Sequence, residues 1–132
     1  MRIGELATRA GLSTKAIRFY EESGLLPEPP RTPGGYRDYP EQSVVRLSFV
    51  RDAQAAGLTL AEIRSVLTLR DSGQAPCGRV GALIDQHLAD IDRRIAELGE
   101  ARSALRELAR RAAATDPDTC AEGDICTILK TS

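Results

Sequence analysis

The 132-residue chain has little of three things that would assign it a class at once: net charge, histidine and long apolar runs. Its 18 Lys and Arg stand against 19 Asp and Glu, a formal charge of -1. That argues against a broadly electrostatic nucleic-acid binder but leaves room for one that concentrates its cations locally. Residues 1–75 hold ten basic against nine acidic side chains and residues 76–132 eight against ten, so the acidic excess lies in the tail. No stretch reads as a signal peptide or a membrane span, so a cytoplasmic protein without membrane contact is expected, with its cysteines reduced. The single histidine, His87, falls on a helical stretch near apolar positions, where packing is its commoner role. No basic partner stands close in sequence to Cys120 or Cys126, so no catalytic set is visible and no enzyme is expected. At this length and 42% hydrophobic content, one compact head with an appended element is the natural organisation.

What is present begins with two short helical patterns. Ile3, Leu6 and Ala7 form an apolar face broken by Gly11. A second helix follows, capped by Ser13 or Thr14, with Ala16, Ile17 and Tyr20 as its inward stripe and Gly24 at a left-handed C-terminal position. In such a helix-turn-helix the start of the second helix enters the major groove, which places Ser13, Thr14, Lys15 and Arg18 at phosphates or base edges; Tyr20 is counted with them. Prolines at 27, 29, 30 and 33 precede Gly34 and Gly35, which offer positive backbone angles for a tight hairpin presenting Arg31, Tyr36 and Arg37. Those three side chains could grip phosphates beside the groove, making a winged helix. Between Pro40 and Gly57, Val44, Val45, Leu47, Val50 and Ala53 suit one buried helix face. Thr59 and Glu62 then make a capping box opening a helix to about Arg70, with Leu60, Ile63, Val66 and Leu67 inward. Arg46, Arg51 and Arg64 read as exposed side chains of this second pair, a solvated face being at least as good an account of each.

Three separated blocks, KAIRFYEESGLL, GGYRDY and VVRLSFVRDAQAAGLTLAEI, occur in an order that closely resembles the head of MerR-family transcription regulators, and more loosely the resemblance continues to the C-terminus. It implies a mainly α protein with a winged helix-turn-helix DNA-binding domain over residues 1–75, a dimerisation helix over 76–113, and a metal-binding loop and tail over 114–132.

From about Arg79 to Ala112, Ile84, Ile91, Leu98, Leu105 and Ala112 recur every seven residues, widened by Leu88, Ile95 and Leu108. This is a heptad seam with a charged exterior. A helix of about 34 residues spans about 50 Å and overshoots so small a head, which favours a partner helix over one folded back on its own chain. Heptads alone leave direction open. The resemblance implies an antiparallel homodimer whose heads reach two half-sites of a palindromic operator in double-stranded promoter DNA.

The three cysteines sit at the two ends of that helix: Cys77 just before it, Cys120 and Cys126 just after. In an antiparallel pair Cys77 of one subunit can meet Cys120 and Cys126 of the other, giving two three-thiolate sites. Asp116, Asp118, Glu122 and Asp124 make the neighbourhood acidic and favour a cation. Thiolates set magnesium and calcium aside and suit Hg(II), Cd(II) or Pb(II) ahead of Zn(II), which would want a fourth ligand from Asp124, His87 or water. In MerR-like sensors a cysteine at the position of Cys77 is similar to members answering divalent ions, whereas copper(I)-type members have serine there. The chain departs from zinc-responsive relatives in lacking paired cysteines with a loop histidine. It departs from mercury-responsive ones in its longer RAAATDPDTC connection and shorter CAEGDIC loop. The resemblance further implies that metal binding shifts the helix pair so that bent, untwisted DNA presents its promoter elements to RNA polymerase. The serious rival is a thiol-redox regulator switching a Cys120–Cys126 disulfide. A drug sensor would need more than about 20 residues after the helix, and a plain DNA-bending protein would leave the cysteine placement to coincidence.

Overall fold

The structure, a computed structural model, describes residues 1–119 and 125–130. It divides into two compact units, Met1–Asp85 and Gln86–Ser132.

The first unit opens with α1 (Ile3–Ala10) and α2 (Thr14–Glu22). Gly11 ends α1 in the left-handed region at φ 70° because the chain must reverse within three residues; a Cβ there would also stand 2.7 Å from Arg51 Nη1. Of the two expected caps for α2, Ser13 is the one used: its Oγ accepts from Ala16 N at 3.1 Å. After the wing come α3 (Gln42–Ala55) and α4 (Leu60–Asp71), and the first residues of α5 (Cys77–Ala114) close the unit. Thr59 and Glu62 form the expected reciprocal capping box.

The core collects Leu6 and Ala10 from α1, Ile17 and Tyr20 from α2, Leu25, Tyr39, Leu47 and Val50, Ile63 and Val66 from α4, and Leu83 from α5. Each enclosed Leu or Ile stabilises the unit by about 1.5–3 kcal/mol relative to exposure. Two sequence expectations need correction here. Val45, expected inward, is exposed, because the buried face of α3 follows Ser43, Leu47 and Val50 at helical spacing and Val45 lies off that line. Tyr20 belongs to the core, with its hydroxyl donating to Gln54 Oε1, so its side chain is not part of the DNA-facing surface.

Arg46, Arg51 and Arg64 have a structural role that the sequence did not disclose. The carbonyls at a helix C-terminus lack intrahelical donors. Arg51 Nη1 donates to Ala10 O at 2.8 Å, Arg64 Nη2 to Ser23 O, and Arg46 Nε to Leu25 O at 2.6 Å, so the second helix pair holds the ends of the first. Arg46 also grips Asp71 with both terminal nitrogens, and its guanidinium holds the Asp71 carboxyl below the usual range.

The second unit is the remainder of α5, a 3-10 turn at Pro117–Thr119 and the tail. Arg111 Nη1 donates to Ile128 O at 3.0 Å, tying the tail to the last turns of the helix. Among the described residues no helix is long and apolar enough to cross a membrane. The long helix starts earlier than expected, with Cys77 as its first residue rather than a residue preceding it.

Candidate nucleic-acid interface and cysteine positions

The side chains that the sequence assigned to DNA contact lie on α2 and the wing. Thr14, Lys15 and Arg18 are exposed along one side of α2, while Ser13 is also exposed but spends its hydroxyl oxygen on the cap. The first turn of a helix presents amide N–H groups and the positive end of its dipole, a suitable neighbour for phosphate.

The wing is a hairpin reduced to one antiparallel bridge, Arg31 to Arg37. Thr32 N donates to Tyr36 O at 2.7 Å and Gly35 N to Thr32 O at 2.8 Å, with Pro33 at the second turn position. Only Gly35 of the glycine pair uses a positive φ, 84°, so the expectation for Gly34 does not hold. A turn of this kind followed by a left-handed glycine is a common three-residue hairpin connection.

Glu21 fixes the wing to α2. Its side chain is 8% accessible; Oε2 pairs with Arg37 Nη1 at 2.9 Å, and Oε1 accepts from the Tyr39 hydroxyl. Arg37 and Tyr39, two residues apart on the extended return of the wing, meet the same carboxylate, a relation that only the i, i+2 spacing hints at in the sequence. Arg37, expected to be available to phosphate, is therefore already committed to a carboxylate. In its place the structure adds Arg2, whose guanidinium stacks 4.2 Å over the Tyr36 ring. Arg2, Arg18, Arg31 and Tyr36 line a cleft of about 480 Å³ between α2 and the wing, with Glu21 and Glu22 on its wall.

Burial, with Glu21 next to it, pushes the Tyr39 hydroxyl up to about 12. The fold holds the neutral phenol, so its contribution is complete below the ordinary value of 10 and is lost as pH rises through about 12. Tyr39→Phe should cost about 1 kcal/mol at neutral pH and flatten the alkaline loss of stability between those values, read by urea unfolding. A profile unchanged by the substitution would count against a buried Tyr39 phenol held neutral by the fold. Arg18→Ala should weaken operator binding by about tenfold with or without any effector, measured by fluorescence anisotropy; unchanged affinity would remove Arg18 from the interface.

Of the cysteines, Cys77 is an exposed free thiol in the first turn of α5 and Cys126 a half-buried free thiol in the tail. Cys120 lies outside the described residues, as do Glu122 and Asp124. His87 is half-buried on α5. Among the described residues no three His, Cys, Asp or Glu side chains gather into a potential metal site. In the second unit Leu88, Ile91, Ile95, Leu98 and Leu105 form an apolar stripe 51–69% exposed, with Leu108 half-buried beside it. Asp90, Arg93 and Glu97 pair along the same helix, as do Glu107 and Arg110.

Two helices joined by a tight turn, with a basic wing clasped to the second, define a nucleic-acid-binding head. The profile of the MerR HTH family of regulatory proteins matches residues 1–69, and that of the MerR DNA-binding region matches residues 44–108. The chain belongs to the MerR family. It is 36% identical over 118 residues to the HTH-type transcriptional regulator ZntR homolog of Haemophilus influenzae, covering 89% of this chain and 87% of that one. It is 41% identical over 110 residues to the mercuric resistance operon regulatory protein of Bacillus cereus, covering 83% of each. Among solved structures, the transcription regulator PbrR691 from Ralstonia metallidurans CH34 in complex with lead(II) aligns with a TM-score of 0.71 at 42% identity. That alignment covers 91% of this chain and 94% of the other.

Proposed function

We propose that this protein is a metal-responsive, dimeric transcription regulator that binds a palindromic promoter operator and activates transcription by distorting the DNA when a thiophilic divalent ion binds Cys77 together with Cys120 and Cys126 of the partner subunit. The observation that carries the reading is an exposed Cys77 thiol at the head of α5, in a chain similar along most of its length to regulators named for mercury resistance or crystallised with lead(II). The donor set fits such an ion: soft thiolates select Hg(II), Cd(II) or Pb(II), with Zn(II) behind them for want of a fourth ligand.

The exposed stripe of α5 supplies the dimer seam, and Thr14, Lys15, Arg18, Arg31 and Tyr36, with Arg2, supply the DNA contacts. The bound ion would draw three thiolates of two subunits together and so favour one of two dimer arrangements. The stiff helix carries that bias to the heads, where readout depends partly on how readily the DNA deforms. RNA polymerase then meets a promoter whose elements are aligned.

The test is titration of the reduced, metal-free dimer with Hg(II), Cd(II), Pb(II), Zn(II) and Cu(I), following thiolate-to-metal absorption against a competing thiol. One tight divalent ion per subunit is expected. Absence of tight binding, with a readily formed Cys120–Cys126 disulfide instead, would replace this reading by a thiol-redox regulator.

A further inference from the structure

We propose that α4 is the coupling element of the head, and that Arg79 with Ser65, and Arg64 with Ser23, are positioning residues that carry displacement at the start of α5 to the end of the DNA-facing helix α2. The inference rests on the regulatory reading above and names the residues through which it would run inside Met1–Asp85.

The path is made of bonds between neighbours. Arg79 Nε, in the first turn of α5, donates to Ser65 Oγ at 3.2 Å. Ser65 Oγ donates in turn to Glu62 O at 2.6 Å, which orients the hydroxyl and turns a lone pair to Arg79. Arg64, the adjacent residue of α4, donates to Ser23 O in the turn that ends α2. Gly24 follows with φ 77°, a left-handed angle that suits glycine and turns the chain away beside the Arg64 guanidinium. A second tether works from the other end of α4: Asp71 is held by Arg46, whose Nε donates to Leu25 O. Arg64 directly, and Asp71 through Arg46, therefore link α4 to the segment through which α2 leaves.

The start of α5 is exposed at Cys77 and anchored at Leu83, with Val80 packed against the core between them. Leu83 is enclosed in the core at 1% exposure, whereas Cys77, six residues earlier and about 9 Å along the helix, is exposed. A displacement applied at Cys77 turns the first turn of α5 about Leu83 and acts first on Arg79. Between α4 and this turn lies a shallow depression bordered by Ala61, Ser65, Thr68 and Leu69, small or flexible side chains that leave the turn room to shift. Ile63 and Val66 of α4 share the apolar core with Ile17 and Tyr20 of α2, and these polar contacts add directed links between α4 and the end of α2.

Coupling of binding free energies is reciprocal, so DNA held by α2 must alter the α5 start in the absence of any metal. The experiment is amide hydrogen exchange of the reduced, chelator-treated protein, free and bound to a duplex that the protein itself selects from a random pool. In the unsubstituted protein, DNA is expected to change the exchange of residues 78–83 by about threefold or more. Arg79→Met and Ser65→Ala should each remove most of that change while duplex affinity and Tm stay as they were. Arg79→Lys, which can still donate to the hydroxyl, should restore much of it. An unchanged DNA effect in Arg79→Met, or none in the unsubstituted protein, overturns the proposal. Metal does not enter the measurement, so a chain that binds no metal can still pass, and a true metal sensor can still fail.

Discussion

Leu98→Glu combined with Leu105→Glu is expected to yield a folded monomer whose operator affinity is lower by about a hundredfold or more. Both side chains are more than three-fifths exposed, at 69% and 65%, on a helix whose seam repeats every seven residues. Covering such a Leu stabilises by about 1.5–3 kcal/mol, and each substitution acts in both copies of a symmetric pair. The glutamates would face apolar neighbours and one another, adding desolvation to the lost contact. Because neither residue belongs to the head, the core of Met1–Asp85 should keep its unfolding transition. Loss of DNA affinity follows from losing the second head: two tethered heads bind at high effective concentration, one head does not. Sedimentation velocity with an operator titration decides the matter. A variant that remains dimeric would move the seam elsewhere.

Cys77→Ser should abolish metal-induced transcription, a fall of about a hundredfold in metal affinity being enough to empty the site at working concentrations, while metal-free operator affinity is retained. The hydroxyl is nearly isosteric but is not a thiolate, and at an exposed first-turn position it disturbs no packing. A reporter assay with and without the best-binding ion, alongside anisotropy on the operator, separates the two quantities. Equal loss of both would mean that Cys77 is a structural residue and would count against the sensor.

The helices of the head were readable because each is announced by local chemistry. Ser13 and Thr59 cap, Gly11, Gly24 and Gly57 stop, and apolar spacing picks the buried face. Val45 was misplaced because α3 carries valines on both sides of its true face, and hydrophobicity alone does not say which side meets Leu6. The long-range roles could not be read. Arg51 serves a carbonyl 41 residues away and Arg37 a carboxylate 16 positions earlier, and no local rule connects partners at such separations. Arg2 escaped notice for the same reason: its proximity to Tyr36 exists only after the chain has folded. The heptad stripe was apparent from period alone, whereas Cys120 lies outside the described residues, so its place beside Cys77 remains part of the proposal.

The pairing of Arg37 with Glu21 has a consequence for how this head meets DNA in salt solution. A cation engages the duplex by displacing condensed counterions, and each phosphate neutralised contributes about 0.9 to the slope of log affinity against log salt. A guanidinium that enters the complex already balanced by a carboxylate displaces little. On the proposed DNA contacts, Arg37 would set the angle of the wing without adding to the ion count, which Arg2, Lys15, Arg18 and Arg31 would carry. In a chain with net charge -1, such an interface is expected to show a smaller salt sensitivity than its arginine content suggests, and to draw its selectivity more from shape than from attraction to any polyanion.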